Sequence, residues 1–356
     1  MVRKTTRRDF LTGRLGETIP SDASLPTEGG ASGAYLPGWL VHVSRSAMAG
    51  QFQIFLNAGQ YPHGVEKALE ALDGLEALEQ QMSVFRPDSQ IQQINHQAAF
   101  GPVEVEERLF GLLELAGQIY QMTEGAFDLT ATPLWEIWGF ARRQPRIPTE
   151  AELAQARQRV GWQYVQLNPA DRTIRFTRPG LQLNLGSIGK GYAVDRCAEV
   201  LLAAGIEDFL IHGGQSSVLA HGQRRDRPPG TGWPVGLRHP LRPHQRLGEL
   251  DVKDRALGTS GSGVQFFSAG GRRWAHIIDP RTGMPGEGVL SVTVLAPTAA
   301  EADALATGLF LLGVEKTRQL CQHRPELAAI FVVPSRQSGG IETIPVGLSE
   351  PIWHPV

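Results

Sequence analysis

HIIDPRTGMPGEGVLSVTVLAPTAAEADALATGLFLLG, from His276 to Gly313, decides how this chain is read. A His and an Asp stand in a tight Pro/Gly loop, a strand follows, and the strand runs into a helix that carries Asp303 and Thr307. The two are about one helical turn apart, so both side-chain oxygens lie on one face. Thr298 with Glu301 reads as a capping box. That start puts Asp303 in the first turn, beside the positive helix end. Two hard oxygen ligands in that place suit Mg²⁺ holding a phosphate. An ordinary amphipathic helix fits the same residues, so the rest of the chain has to choose.

Upstream, NLGSIGKGYAVD (184–195) carries three Gly within six residues, and Lys190 stands at the following helix start. Backbone N–H groups in such a loop can approach a phosphate or a ribityl chain closely. The spacing is neither a Walker A loop nor the dinucleotide GxGxxG, and a plain strand-to-helix turn uses Gly in the same way. GAFDLTATPLW sets Phe127 beside Asp128, an aromatic to stack on a ring and a carboxylate to accept from an amine. A buried Phe with a capping Asp fits equally. HGGQ (212–215) and ALGTSGSGVQFF (256–267) add paired Gly and hydroxyls at strand ends. His276 can accept a proton near neutral pH.

Periodicity supplies the frame. Strands surround Met48 between Val41 and Ala58, a long helix spans 65–82, and Ser89 caps a short one. A second long helix covers 104–122, 123–140 is loop, and Thr149 with Glu152 opens a third helix. A hairpin turns at Asn168–Asp171, 181–206 is strand, Gly loop and helix, and 207–222 is two strands. A polar loop at 223–232 precedes strands near 233–237, 247–258 and 264–268. Helices at 299–312 and 314–323 and strands near 328–333 and 341–346 finish the chain. Blocks of helices and strands, not strict alternation, favour an α+β class.

The bulk numbers are compatible with a large core and many turns. The 356 residues are 41% hydrophobic and 20% charged, with 41 Gly and 24 Pro. Net charge is −2 without a basic block, so composition gives no case for nucleic acid. Cys197 and Cys321, the two cysteines, fall in helical apolar patterns and read as core. No apolar stretch is long enough to span a membrane. Residues 1–38 read as a mobile arm. Within it, Arg7-Arg8 resembles a twin-arginine export motif, but polar, turn-forming residues follow where an apolar run is needed, so location stays open between cytoplasm and export.

Taken in order, AMAGQF (47–52), SVFRPDSQIQQIN (83–95), EGAFDLTATPLW (124–135), NLGSIGKGYAVD, HGGQ, LGTSG (257–261), HIIDPRTGMP (276–285) and SVTVLAPTAAEADALATGL (291–309) resemble the ApbE family, the FAD:protein FMN transferases. The resemblance covers about residues 40 to 335. It implies mixed sheets with flanking helices, forming two intertwined lobes around a flavin and Mg²⁺ cleft within a single domain from residue 39 on. It implies Mg²⁺-dependent cleavage of FAD at its pyrophosphate, transfer of FMN to a Thr or Ser hydroxyl of a target protein, and release of AMP.

By matching motif positions, the resemblance makes Asp303 and Thr307 Mg²⁺ ligands, with Ser187 joining them. Met48, Phe85, Ala126, Phe127, Asp128, Asn184 and Lys190 become FAD contacts, and His276 and Asp279 the candidates for activating the target hydroxyl. Phe85 stands where the family often has Tyr, Asn184 where it often has Asp, and Ser187 and Gly189 where Gly and Ala are usual. An FAD pyrophosphatase and a non-catalytic flavin binder are the competing readings. Retention of the Asp303/Thr307 pair argues against the binder. No convincing acceptor is encoded in the chain itself, so self-modification is not expected.

Overall fold

The first sheet begins with a tight hairpin. In this computed structural model, which describes residues 39–263, 266–335, 340–348 and 352–356, β1 (Leu40–Ala47) and β2 (Gly50–Asn57) pair around Met48 and Ala49. Both turn residues have positive φ, 50° and 55°, a conformation that costs a side chain energy and needs support. The Glu79 carboxylate gives part of it by accepting from the Met48 N–H at 2.9 Å. The arm and its twin-arginine motif lie outside the described residues.

The chain then leaves the sheet. The helix expected over 65–82 is divided at Gly74 into α1 (Gly64–Asp73) and α2 (Leu75–Met82). Ser89 caps α3 (Gln90–Gln97) by accepting from the Gln92 N–H, as the sequence suggests. After β3 (Val103–Glu104) comes α4 (Glu107–Met122). The expected loop at 123–140 contains a short helix, α5 (Thr132–Ile137), with Pro133 in its first turn, where the missing N–H does no harm. The full capping box at Thr149 and Glu152 opens α6 (Glu150–Arg157). The hairpin β4 (Val165–Asn168) and β5 (Thr173–Phe176) pairs with β3 in a small sheet. Residues 181–188 are not a strand but an extended segment with turns, followed by α7 (Gly189–Ala203).

The return to the sheet is β6 (Phe209–Gly213) and β7 (Ser217–His221). Then come β8 (Trp233–His239), β9 (Arg242–Val252), β10 (Arg255–Gly261), β11 (Phe266–Ala269), β12 (Arg272–Ala275) and β13 (Ser291–Ala296). The strand expected over 247–258 is two, broken at a bend where Asp254 takes a φ of 51°, and the two halves join different sheets. Helix α8 (Ala299–His323) contains a non-helical Gly313, which gives the two expected segments. Finally β14 (Ala328–Pro334), β15 (Ile341–Val346) and β16 (Trp353–Pro355) follow.

The large sheet runs β1-β2-β6-β7-β10-β13-β14-β15, and its ladders are antiparallel. Since β2 and β6 are neighbours, everything between them is one long excursion from the sheet, and the described residues belong to a single compact unit rather than to separable lobes. Strand β13 is buried throughout, so it is covered on both faces. Val292, Val294 and Ala296 join the core under the helices, while Leu295 points to the other side. There β8, β9 and β16 form a second sheet, whose Trp233, Leu250 and Val252 pack on Leu257, Leu295 and Ile330. Cys197 and Cys321 are buried free thiols, as expected. Among the described residues no helix is long and apolar enough to cross a membrane.

Helix α8 lies close on β10 because Gly258 has no side chain: a Cβ there would overlap the Ala302 carbonyl. We expect Gly258→Ala to lower unfolding free energy by about 1–3 kcal/mol in urea titrations. Unchanged stability would show that the helix has room to shift.

Candidate functional site

Three polar contacts fix the start of α8. The Asp195 carboxylate, from α7, accepts from the Ala299 and Ala300 N–H groups at 2.7 and 2.8 Å. Thr298 accepts from the Glu301 N–H. Glu301 does not complete the box, because its carboxylate turns to Arg324 at 2.8 Å. The helix end thus carries a built-in carboxyl group, and the phosphate expected there finds its donors taken. Burial pushes the Asp195 carboxyl up to about 7, with the two amides opposing and the charge of Asp303 adding.

Asp303 begins the second turn rather than lying in the first. The Gly191 N–H donates to its Oδ2 at 2.7 Å, and the Ser217 hydroxyl lies 2.7 Å from each of its oxygens. Burial pushes its carboxyl up to about 6; the Ser217 and Gly191 hydrogen bonds and the Lys190 charge pull the other way. One turn on, Thr307 Oγ1 meets Ser260 Oγ at 3.3 Å.

Above these residues is a cavity of about 500 Å³, within the range of small-molecule sites. Asp303, Thr307, Ser187, Lys190, Asn184, Asp128, Ala126, Phe85 and His276 all line it, so nine of the twelve residues singled out in the sequence converge. Phe85 is 82% exposed, an aromatic ring left in solvent beside the cavity. Asn184 uses its Oδ1 on the Gly186 N–H at 2.9 Å, shaping the Gly loop. His276 makes an edge contact with Phe140, ring centroids 6.4 Å apart.

Three residues are not brought to the wall. Met48 sits in the β1–β2 turn and packs against the core. Phe127 is 1% exposed and its ring is core. Asp279 is turned into its own loop: its carboxylate binds the Arg281 guanidinium at 2.7 and 2.9 Å and accepts from the Arg281 N–H. The carboxylate is thus engaged in a turn and a salt bridge, the loop-shaping arrangement, and Pro280 takes the place on the cavity wall. Asp128 lines the cavity but is largely committed too, accepting from Thr130 and the Trp162 N–H; burial nevertheless raises its carboxyl.

Sequence reasoning assigned no role to Ser217, Ser260, Trp135 or Asp195. Each lies within or beside a quoted motif, yet their roles depend on strands and helices distant in sequence. Among the described residues no group of three or more His, Cys, Asp or Glu could hold a metal. A cation at Asp303 would therefore complete its shell with hydroxyls, carbonyls, substrate oxygens and water, a donor set that fits a hard ion such as Mg²⁺.

Comparison with known proteins gives one answer. The profile of the ApbE family matches residues 48–331. An FAD:protein FMN transferase from Salmonella typhimurium is 33% identical over 264 residues, covering 72% of this chain and 74% of that protein. One from Treponema pallidum is 34% identical over 281 residues, covering 75% and 78%. Among solved structures, flavin transferase ApbE from Vibrio cholerae superposes with a TM-score of 0.75 at 29% identity, over 87% of this chain and 98% of that one. The ApbE protein of Thermotoga maritima gives 0.74 at 26% identity, over 85% and 96%.

The raised Asp303 carboxyl has a measurable consequence. With a folded-state value of about 6 against an ordinary 3.8, the folded form holds the proton more tightly. Its stabilising contribution is complete below about 3.8 and lost as pH rises through about 6. In metal-free buffer Asp303→Asn should match the parent near pH 4 and exceed it by about 1–3 kcal/mol near pH 7.5. Denaturant midpoints across this range check it; parallel curves would contradict it.

Proposed function

Since the chain belongs to the ApbE family, we propose that it transfers FMN from FAD to a Thr or Ser hydroxyl of an acceptor protein and releases AMP. The observation that carries the reading is the meeting, in one cavity, of the Asp303/Thr307 floor with His276 on the wall. The names of the relatives support the same reaction.

In that reaction the acceptor oxygen forms a bond to the FMN phosphorus, the pyrophosphate P–O bond breaks, and AMP leaves with its electron pair. Asp303 and Thr307, with Ser187, are the residues that would hold Mg²⁺, which when bound offsets pyrophosphate charge. Lys190 adds a fixed positive charge at the same end of the cavity. Phosphoryl transfer of this kind depends on placement and electrostatics more than on covalent help. The aromatic and apolar residues Phe85, Trp135, Leu129 and Ile277 offer the flat surfaces a flavin ring needs. His276 takes the proton from the acceptor hydroxyl.

A candidate acceptor protein incubated with the chain, FAD and Mg²⁺ should gain one FMN on a Thr or Ser by mass spectrometry, and Asp303→Ala should abolish the gain. His276→Ala should slow transfer by about 10²–10⁴-fold while FAD binding persists. Mg²⁺-dependent AMP release with no acceptor modified, across several acceptors, would point to a pyrophosphatase; bound FAD with neither product would contradict turnover.

A further inference from the structure

Ser217 is the first residue of β7 and has no exposed surface. Its partner across the ladder is Gly258 of β10, a position at which α8 lies close enough for a Cβ to overlap the Ala302 carbonyl. This places the Ser217 hydroxyl directly beneath Asp303, with Oγ 2.7 Å from Oδ1 and 2.7 Å from Oδ2. Equal distances put the hydroxyl between the two oxygens, on the side where a cation sits when a carboxylate chelates it with both. Oδ2 also accepts the Gly191 N–H. The coordination left open to a cation is through Oδ1 alone.

One-oxygen coordination discriminates between ions. Mg²⁺ is small, demands a near-octahedral shell, keeps several waters and is held by one or two carboxylates together with substrate oxygens; Ca²⁺ accepts six to eight oxygens in a flexible shell and readily takes both from one carboxylate. We propose that Ser217 is a positioning residue that confines Asp303 to single-oxygen coordination and so favours a Mg²⁺-sized ion over Ca²⁺. The inference rests on the reading of Asp303 as a cation ligand. It requires no change in the protonation of any group, only that the hydroxyl occupy the chelating side.

The test is competition for the site on the intact chain with FAD and no acceptor. Bound Mn²⁺ is followed by electron paramagnetic resonance and displaced by Mg²⁺ or by Ca²⁺. Removing the hydroxyl in Ser217→Ala should shift the Mg²⁺/Ca²⁺ preference toward Ca²⁺ by about tenfold or more, within the range that groups supporting metal ligands command. Ser217→Thr restores a hydroxyl and should keep the parent's preference. Thermal melts identify any variant that fails to fold, and each folded one is decisive. An unchanged preference in Ser217→Ala, or an equal weakening of both ions, would overturn the assignment and leave Ser217 a structural hydrogen bonder. Mn²⁺ bound as tightly by Asp303→Ala as by the parent would instead remove the cation reading, and the Ser217 inference with it.

Discussion

The rest of the site depends on how the first two turns of α8 are seated. Asp195 takes the helix's leading amides, the Gly191 N–H holds Asp303, and Gly258 lets the backbone drop onto β10. A Cβ at Gly191 would overlap the Ala299 carbonyl, so α7 and α8 meet at backbone distance. Without that approach the Gly191 amide could not reach a short Asp side chain, and Ser217 could not lie beneath it. A carboxylate is thereby buried among neutral donors, with its nearest fixed cationic influence the Lys190 charge. Such a group is costly to ionise, and a divalent cation is the partner that would remove the cost.

The cavity divides its labour by element. The Gly loop and the start of α7 supply Asn184, Ser187 and Lys190. The ends of β7 and β10 supply Ser216, Thr259 and Ser260, a row of hydroxyls beside the α8 face. The opposite wall comes from α5 and the loop after β12, where Trp135 and His276 stand over a small apolar cluster of Leu134, Trp138 and Ile278. Trp138 ties the two together by donating to the Gly283 carbonyl at 2.8 Å. Polar floor and aromatic wall are therefore held by different parts of the chain and meet at the cavity, as a ligand with a charged middle and a flat ring requires.

How much of this was legible in the sequence follows from the range of each interaction. Local signals read well: the Ser89 and Thr149 caps, the β4–β5 turn and the break at Gly313 are all set by neighbours within a few residues. The Asp303/Thr307 pair was visible because one helical turn is a fixed distance. What misled was a local pattern overruled from afar. Glu301 satisfies the spacing of a capping box but finds Arg324 instead, and the helix end that invited a phosphate is filled by Asp195, over a hundred residues upstream. Asp279, a candidate by motif position, pairs with Arg281 only two residues on, a local contact that motif matching does not weigh. Phe127 and Met48 belong to matching motifs but serve the core and a strained turn rather than the cavity wall.

The central claim is that the α8 face, and not the α8 end, meets the pyrophosphate and its cation. A crystal structure of the chain with FAD and Mn²⁺, with the metal located by anomalous scattering, tests it directly. The account predicts one strong peak within coordination distance of Asp303 Oδ1 and Thr307 Oγ1, with pyrophosphate oxygens beside it and the Asp195 contacts to Ala299 and Ala300 intact. A peak elsewhere in the cavity, or phosphate oxygens on the Ala299 and Ala300 amides in place of Asp195, would contradict it.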